Sequence, residues 1–511
     1  MLSYVARRLA VSSGVLLAAS VVMYALTALS ADPLSDLYDQ PEPSRSQLIA
    51  ARTEAMRLDL PLPLRYLNWL GEVGRCVAPP YGDCTLGTDR MGTPVAERLF
   101  PAMGVSIRLV LVATVVSIVL GVLLGVVSAL RQYSTFDHAV TLFAFLCFSL
   151  PTFWFAGLLK QYLAVELNDW LADPSLTVAT LLGIGVAAGL AGSVIAGGPP
   201  RRRLVVFGAV AAGVCGGLFL LLVTGWFTRP GLGWPGVAAI SVLAAVAMTA
   251  LFAGLRQRRV LIAALATAAA GFGAHVVLRL WRPELDGPGL ALAALLTVVV
   301  SAAVGWLVAG PRQRLGAGVC VGTGLVAGLT VSAEEMLLRY PDYVELRNGR
   351  PVPTAGSGTP GLDGDFWLSA LDSAAHLALP TVTLMLVAVA GYVRYTRASV
   401  LEARDADHVR AAYAKGLPHR FVVVRHILRN ALTPLLTLVG FDFVALIGGS
   451  VVIETLFGWT GGLGAYFTTA LGEVDLNPVM GVFLVTAAAT FAMNLVVDIS
   501  YGLLDPRVRL T

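Results

Sequence analysis

Long apolar stretches, broken by short polar ones, set the rhythm of this chain. Runs with few charges fall near 9–30, 104–130, 139–165, 176–198, 204–227, 236–255, 260–278, 288–310, 315–332, 374–393, 433–456 and 479–503. Each comes close to or exceeds the roughly 20 residues that an α-helix, rising ~1.5 Å per residue, needs to cross ~30 Å of hydrocarbon. The pattern predicts an all-α integral membrane fold of about twelve transmembrane helices. The first run follows Arg7 and Arg8, but its apolar core is longer than the ~7–15 residues of a secretory signal, so it reads as a retained helix.

Three interruptions in the middle of the chain resemble one another. Ala196-Gly197, Ala253-Gly254 and Ala309-Gly310 each close an apolar run, each precedes an arginine cluster, and their spacing is 57 and then 56 residues. Such a period predicts three stacked helical hairpins between about 172 and 340, joined on one side of the membrane. The Gly and Ala content permits close backbone approach, and convergence of Ala/Gly-rich membrane sequence is the alternative source of the pattern. An even number of spans leaves the topology downstream unchanged.

Composition sharpens the picture. Of 511 residues, 57% are hydrophobic and 13% charged, against roughly a quarter charged in a soluble domain. A soluble enzyme, a nucleic-acid-binding protein and a disordered tail are excluded for the whole. The net charge of +4 is small, and its placement says more, because basic residues stay on the cytoplasmic side. With the N-terminus inside, Arg201 to Arg203, Arg256 to Arg259, Arg312 with Arg314, the segment 394–432 and the tail Arg507-Val-Arg509 all fall inside, and so does the C-terminus. The stretches 32–102, 228–235, 279–287 and 333–372 fall outside, with Arg229, Arg279 and Arg282 running against the trend.

Several chemistries are missing. Lys160 and Lys415 are the two lysines, and neither sits in a phosphate-binding Gly-Lys-Ser/Thr loop. His-Glu-x-x-His, Gly-x-Ser-x-Gly and Cys-x-x-Cys do not occur, and the histidines are scattered, so no metal site is expected. Gly356-Ser-Gly358-Thr-Pro-Gly361 matches a dinucleotide fingerprint in letters, yet no βαβ unit surrounds it and it reads as a loop. Cys76 and Cys84 share the first external loop, where they either form a disulfide around a Pro-Pro-Tyr-Gly turn or remain free thiols. Cys147, Cys215 and Cys320 lie inside apolar runs as small packing residues. Ionisable groups within spans are functional candidates: Asp442 for the pathway or a subunit interface, with a packed, satisfied helix site as the alternative, and Glu454 for an external gate, a docking surface or a plain interfacial carboxylate. Lys160 and Glu166 lie at an external boundary where snorkelling accounts for them, and His275 reads as a packed histidine.

The most informative polar segment runs from Arg394 to Pro434. Ser399-Val-Leu-Glu402 has the form of a capping box, and Asp405 and Asp407 suit a helix N-terminus. Lys415 near a C-terminus, Gly416 at a left-handed position and Pro418 beyond it predict a helix of about two turns around His408 to Lys415. Such a short helix is marginal alone. Ala411 and Ala412 leave part of its surface smooth enough to seat in a groove of another protein; an ordinary basic loop is the bland alternative.

This segment resembles the coupling motif of ABC-importer permeases, specifically the B-type subunit of the dipeptide/oligopeptide/nickel permease family. The Ala-Ala-x-x-x-Gly core maps onto Ala411, Ala412 and Gly416, flanked by Arg394-Tyr-Thr-Arg397 and His426-x-x-Arg429-Asn430-Ala431-x-x-Pro434. Leu58 to Trp69, Ser149-Leu-Pro151-Thr-Phe-Trp154, Leu379-Pro380, Gly448 to Phe457, and Asn494 to Arg509 agree in order. Three features depart from the pattern: Arg410 replaces a glutamate, Gly458-Trp-Thr-Gly-Gly-Leu-Gly464 replaces a Pro-Gly-Leu-Gly turn, and 172–345 is extra. The resemblance implies a type I importer core of six helices plus about six inserted ones. The divisions are then an N-terminal helix (1–31), an external loop (32–103), core helices (104–171), the inserted array (172–345), a second external loop (346–373) and core helices (374–511). It implies a bacterial inner-membrane permease without enzymatic activity, bearing no cofactor and binding no nucleic acid. Its partners would be a homologous second permease, two ATPase subunits or one fused ATPase carrying ATP and Mg, and an external substrate-binding protein delivering peptide, or nickel as the alternative cargo. Asp407, His408, Val409, Arg410, Ala411, Ala412, Lys415 and Gly416 would carry the coupling, with both alanines facing the ATPase groove. An ion-coupled secondary transporter would instead show paired broken helices bearing charges, and a membrane-embedded enzyme two convergent catalytic groups.

Overall fold

The structure, a computed structural model, describes residues 2–77, 84–281, 286–310, 313–362, 365–459 and 461–504. Arg282, Arg312, Thr460, the residues Pro79 to Gly82, and those from Asp505 on, with Arg507 and Arg509, lie outside the described residues. The first half comprises α1 (Leu2–Ser30), α2 (Ser44–Met56), α3 (Leu62–Val77), α4 (Val95–Leu130), α5 (Thr135–Ser149), α6 (Thr152–Lys160), α7 (Leu167–Ala172), α8 (Val178–Ala196) and α9 (Pro200–Val223). There follow α10 (Gly233–Met248), α11 (Arg258–Trp281), α12 (Gly287–Val308), α13 (Gln313–Leu338) and α14 (Tyr340–Leu346). The remainder holds α15 (Phe366–Asp405), α16 (Asp407–Ala414), α17 (His419–Val422), α18 (Leu428–Ala431), α19 (Thr433–Leu456), α20 (Leu463–Gly472) and α21 (Leu476–Leu504). Among the described residues eleven helices are long and apolar enough to cross a bilayer, or twelve if one bent pair counts as a further span.

That bent pair corrects the run near 139–165. The chain turns by 99° between Thr135–Ser149 and Thr152–Ala172. Pro151 lacks an N–H and holds the preceding residue out of the helical region, and Leu150 is extended (φ −82°, ψ 127°). Pro101 and Pro380, by contrast, lie within α4 and α15.

The long helices α4 and α15 form the central pair, and small residues explain their closeness. A Cβ on Gly121 would stand 2.3 Å from Cβ of Tyr392, and one on Gly125 would stand 2.7 Å from Cβ of Thr396. The Gly-x-x-x-Gly spacing places both on one face, as close helix crossings in hydrocarbon require. On the partner helix Tyr392, Val393, Thr396 and Val400 form the matching buried stripe. This stripe also corrects the capping box: Ser399 and Glu402 lie inside α15, which runs on to Asp405 because its packing on α4 outweighs the local capping preference.

In the middle, α8 pairs with α9, α10 with α11 and α12 with α13. Gly197, Gly254 and Gly310 end the first helix of each pair at positive φ, the conformation glycine adopts most cheaply. The three hairpins do not form one uniform stack. The helices α10 to α13 pack together, while α8 leans on α5, with the Arg131 guanidinium donating to the carbonyl of Ile195 (2.5 Å) and Arg203 to Thr135 Oγ1 (2.5 Å). This segment is less charge-poor inside than its letters suggest. Buried Glu334 accepts from Arg279 (2.8 Å) and from the backbone N–H groups of Leu232 (2.6 Å) and Gly233 (3.2 Å), which caps α10 and neutralises one of the three arginines that run against the charge trend. His275 is fully buried against Trp234 and Phe272.

At the end opposite α16, the described parts of 32–103 (32–77 and 84–103) are structured. Tyr66 and Trp69 of α3 pack on Tyr24 of α1, and Ser20 and Tyr66 share a 2.9 Å hydrogen bond. Cys76 and Cys84 are joined as a disulfide. Asn477 Nδ2 donates to the carbonyl of Thr88 (2.7 Å), and the Arg90 N–H donates to Asp475 (2.7 Å), tying this loop to the start of α21.

Candidate functional site at the arginine-rich end

The site is built on the last turns of α15. Arg397 donates through Nε and Nη2 to the two carboxylate oxygens of Asp137 (2.7 and 2.9 Å). Ser128 Oγ (2.5 Å) and the Tyr133 N–H (3.0 Å) donate to the same carboxylate. Ser134 caps α5 by accepting from the Asp137 N–H (3.2 Å), which orients the acid toward α15. The Arg394-Tyr-Thr-Arg397 motif therefore joins α15 to the α4–α5 turn. Sequence reasoning missed Asp137 and Ser128; the available signal was a lone acid three residues beyond a Ser cap in an otherwise apolar segment.

Below this pair, α16 takes eight residues, Asp407–Ala414. Its stop is a Schellman arrangement: the Gly416 N–H donates to the Tyr413 carbonyl (2.9 Å), the Leu417 N–H to that of Ala412 (3.3 Å), and Gly416 sits at φ +74°. Its start carries no side-chain cap; Asp407 supplies only a first-turn negative charge. Tertiary contacts hold the helix instead. Val409 and Ala412 point into a cluster with Ala129, Val400, Val422, Val423, Ile427 and Ala431. Asn430 Nδ2 and His408 Nε2 lie 2.9 Å apart, and the Tyr413 hydroxyl and His419 Nδ1 lie 2.7 Å apart with their rings stacked.

This geometry corrects the expectation that both alanines face outward. Ala412 is 5% exposed and belongs to the chain's own core, whereas Ala411 is exposed. A helix turns ~100° per residue, so two adjacent positions cannot share a narrow face. The outward surface of α16 consists of Asp407, His408, Arg410, Ala411, Ala414 and Lys415, with Tyr413 at its edge.

Above the ion pair a cavity of about 930 Å³ opens between α5, α6, α15 and α19. Its wall is largely apolar, with Phe145, Phe148, Phe153 and Ile453, and its polar lining includes Arg394, Arg397 and Asp442. Arg394 lies over the rings of Phe145 and Phe148 (5.2 and 5.7 Å).

Glu454 is in none of these surfaces. It is 1% exposed and accepts from Ser106 Oγ (2.5 Å), Ser450 Oγ (3.1 Å) and the Gly464 N–H (2.7 Å), while Ser106 Oγ accepts from the Leu463 N–H (2.8 Å). The carboxylate thus caps α20 from outside its own helix and cannot touch a docked protein. This arrangement also accounts for the glycine-rich turn. A Cβ on Gly462 would stand 2.2 Å from Glu454 Oε2, and one on Gly464 would stand 2.6 Å from Val451 Cα. Lys160 does more than snorkel, because its Nζ donates to the last-turn carbonyl of Leu456 (3.1 Å).

Residues 288–510 match the family profile described as "Binding-protein-dependent transport system inner membrane component". The chain is 24% identical over 511 residues, the full length of both, to the oligopeptide transport system permease protein OppB of Mycobacterium tuberculosis (strain H37Rv). It is 40% identical over 149 residues to the dipeptide transport system permease protein DppB of Escherichia coli K12, covering 29% of this chain and 42% of the relative. A putative peptide permease of Brucella ovis is 38% identical over 160 residues, covering 31% of this chain and 49% of that protein. In both shorter alignments the smaller share is this chain's, as a longer chain with an extra segment requires. Helical throughout the elements described above, with many apolar spans, an arginine-rich helical end and these matches, the chain is similar to the peptide permeases of ABC importers, and the profile over 288–510 supports that family.

Proposed function

We propose that the chain is one permease subunit of an ATP-driven importer of di- and oligopeptides. It pairs with a homologous second permease, each providing half of the translocation pathway, and receives cargo from an external binding protein. ATP and Mg are handled by two ATPase subunits, or one fused ATPase, which grip the outward face of α16 on the cytoplasmic side, where both termini also lie. The observation that carries this reading is the anchoring of α16. Its inner side is packed into the core below the Arg397–Asp137 pair, its stop is fixed at Gly416, and its opposite side is open around Ala411. A displacement of α16 therefore reaches α15, which lines the cavity with Arg394 and Arg397. The segment 172–345 acts as a lateral buttress against the lipid, consistent with α9 burying none of its residues.

The test is reconstitution. The chain purified with its neighbouring permease, ATPases and binding protein should take up peptide in proteoliposomes only when ATP is supplied to the α16 side. The same chain alone should concentrate nothing. Uphill uptake by the single subunit overturns the reading.

A further inference from the structure

Two charged side chains in the cavity lack partners of opposite sign among the described residues. Arg397, also in the lining, is occupied by Asp137. Arg394 is exposed to the cavity, stacked over two phenylalanine rings, and among the described residues forms no ion pair. Asp442, on α19, is half-buried beside Tyr392 and likewise pairs with no basic side chain among the described residues. The remaining wall is largely apolar and small-residue surface, including Gly391, Gly449 and Ala445. An unpaired charge in so apolar a setting is costly unless a ligand completes it, and here one cation and one anion are presented to the same space.

We propose that the cavity holds its cargo as a zwitterion: the Asp442 carboxylate receives the ammonium at a peptide's N-terminus, and the Arg394 guanidinium receives its C-terminal carboxylate. Asp442 and Arg394 are then specificity-determining residues for free-ended peptides. The apolar wall accepts side chains without reading them, and Phe145 and Phe148 hold the guanidinium plane in place. An arginine can meet a carboxylate with two parallel N–H bonds, which favours it over lysine at such a position. This rests on the peptide-importer reading, because the charges discriminate only among molecules that enter the cavity.

The experiment uses the assembled transporter in lipid nanodiscs without its binding protein, so that the binding protein's own selectivity is absent. Equilibrium binding is measured for labelled trialanine, N-acetyl-trialanine and trialanine amide. The wild type should bind the free-ended peptide about tenfold or more tightly than either blocked form. Asp442→Asn should abolish the acetyl penalty and keep the amide penalty; Arg394→Gln should do the converse. Removal of a merely structural contact would weaken all three ligands equally. Equal binding of the three by the wild type, penalties unchanged by the substitutions, or no binding at all overturns the zwitterion site. In each of those cases ATP-driven trialanine uptake by the complete complex still decides the importer reading separately.

Discussion

Asp137 and Arg397 stand 260 positions apart and meet through two parallel hydrogen bonds of 2.7 and 2.9 Å, directly above the cluster that seats α16. Asp137 is nearly inaccessible, whereas the arginine is partly open. Breaking one partner leaves a largely buried charge, so Arg397→Gln should destabilise the assembled protein by about 2–4 kcal/mol. The pair's own coupling, read from the Asp137→Asn/Arg397→Gln double-mutant cycle in thermal unfolding, should be about 1–3 kcal/mol. Additive effects of the two single substitutions would show that the pair is incidental.

Neighbouring alanines should behave oppositely. Ala411→Arg places a charge on the exposed face of α16 and should change stability by less than about 0.5 kcal/mol. Peptide uptake should nevertheless fall at least about tenfold if that face is gripped by an ATPase. Ala412→Arg forces a cation among Val409, Val422 and Ile427 and should cost about 3 kcal/mol or more, visible as a lower melting temperature. Uptake and ATPase activity measured on both variants separate loss of coupling from loss of folding.

The Glu454 network predicts an intolerant turn. Gly464→Ala drives a methyl group to 2.6 Å from the Val451 Cα, a backbone atom that cannot swing aside. The expected cost is about 1–3 kcal/mol. Glu454→Ala leaves the Gly464 N–H and two serine hydroxyls without their acceptor and should cost a similar amount. Wild-type melting temperatures for both variants would contradict the capping role.

The pH on the side opposite α16 should act through Asp475. Burial pushes its carboxyl up to about 6, from an ordinary 3.8, with the nearby Asp89 and Glu473 charges adding to the shift and Arg90 opposing it. The folded protein holds this proton while the unfolded chain releases it, so the associated stability is complete below about pH 3.8 and is lost as pH rises through about 6. Hydrogen exchange in residues 84–95 should therefore quicken between pH 4 and 6 beyond the intrinsic pH dependence of exchange. Asp475→Asn, which keeps an acceptor for the Arg90 N–H, should flatten that excess.

Removing the middle segment tests the buttress. A chain in which a short linker replaces 172–345 should retain peptide-stimulated ATPase activity in the assembled complex. Complete loss of transport with normal assembly would assign the segment a part in the pathway.

Much of the architecture is legible in the letters because hydrocarbon imposes a local rule: every spanning segment must satisfy its own backbone and remain apolar for about 20 residues. The runs, the glycine stops at Gly197, Gly254 and Gly310, the loop at Gly356 to Gly361, and the brief helix ended by Gly416 all follow from short-range chemistry. The bend at Pro151 was equally local, but it was hidden inside one continuous apolar run.

Contacts between distant segments decided the rest. Whether Ser399 caps a helix or lies within one depends on the Gly121 and Gly125 face of α4, more than 250 positions earlier. Whether Glu454 meets solvent or caps α20 depends on Ser106, 348 positions away. The phase of α16 against its supporting cluster separates Ala411 from Ala412, although the two letters are identical. Sequence alone determined that the chain carries membrane-spanning segments and where the short helix α16 is placed, since those properties belong to segments. Tertiary structure alone decided which side chains face outward, a cavity or the core, because orientation is set by what each helix packs against.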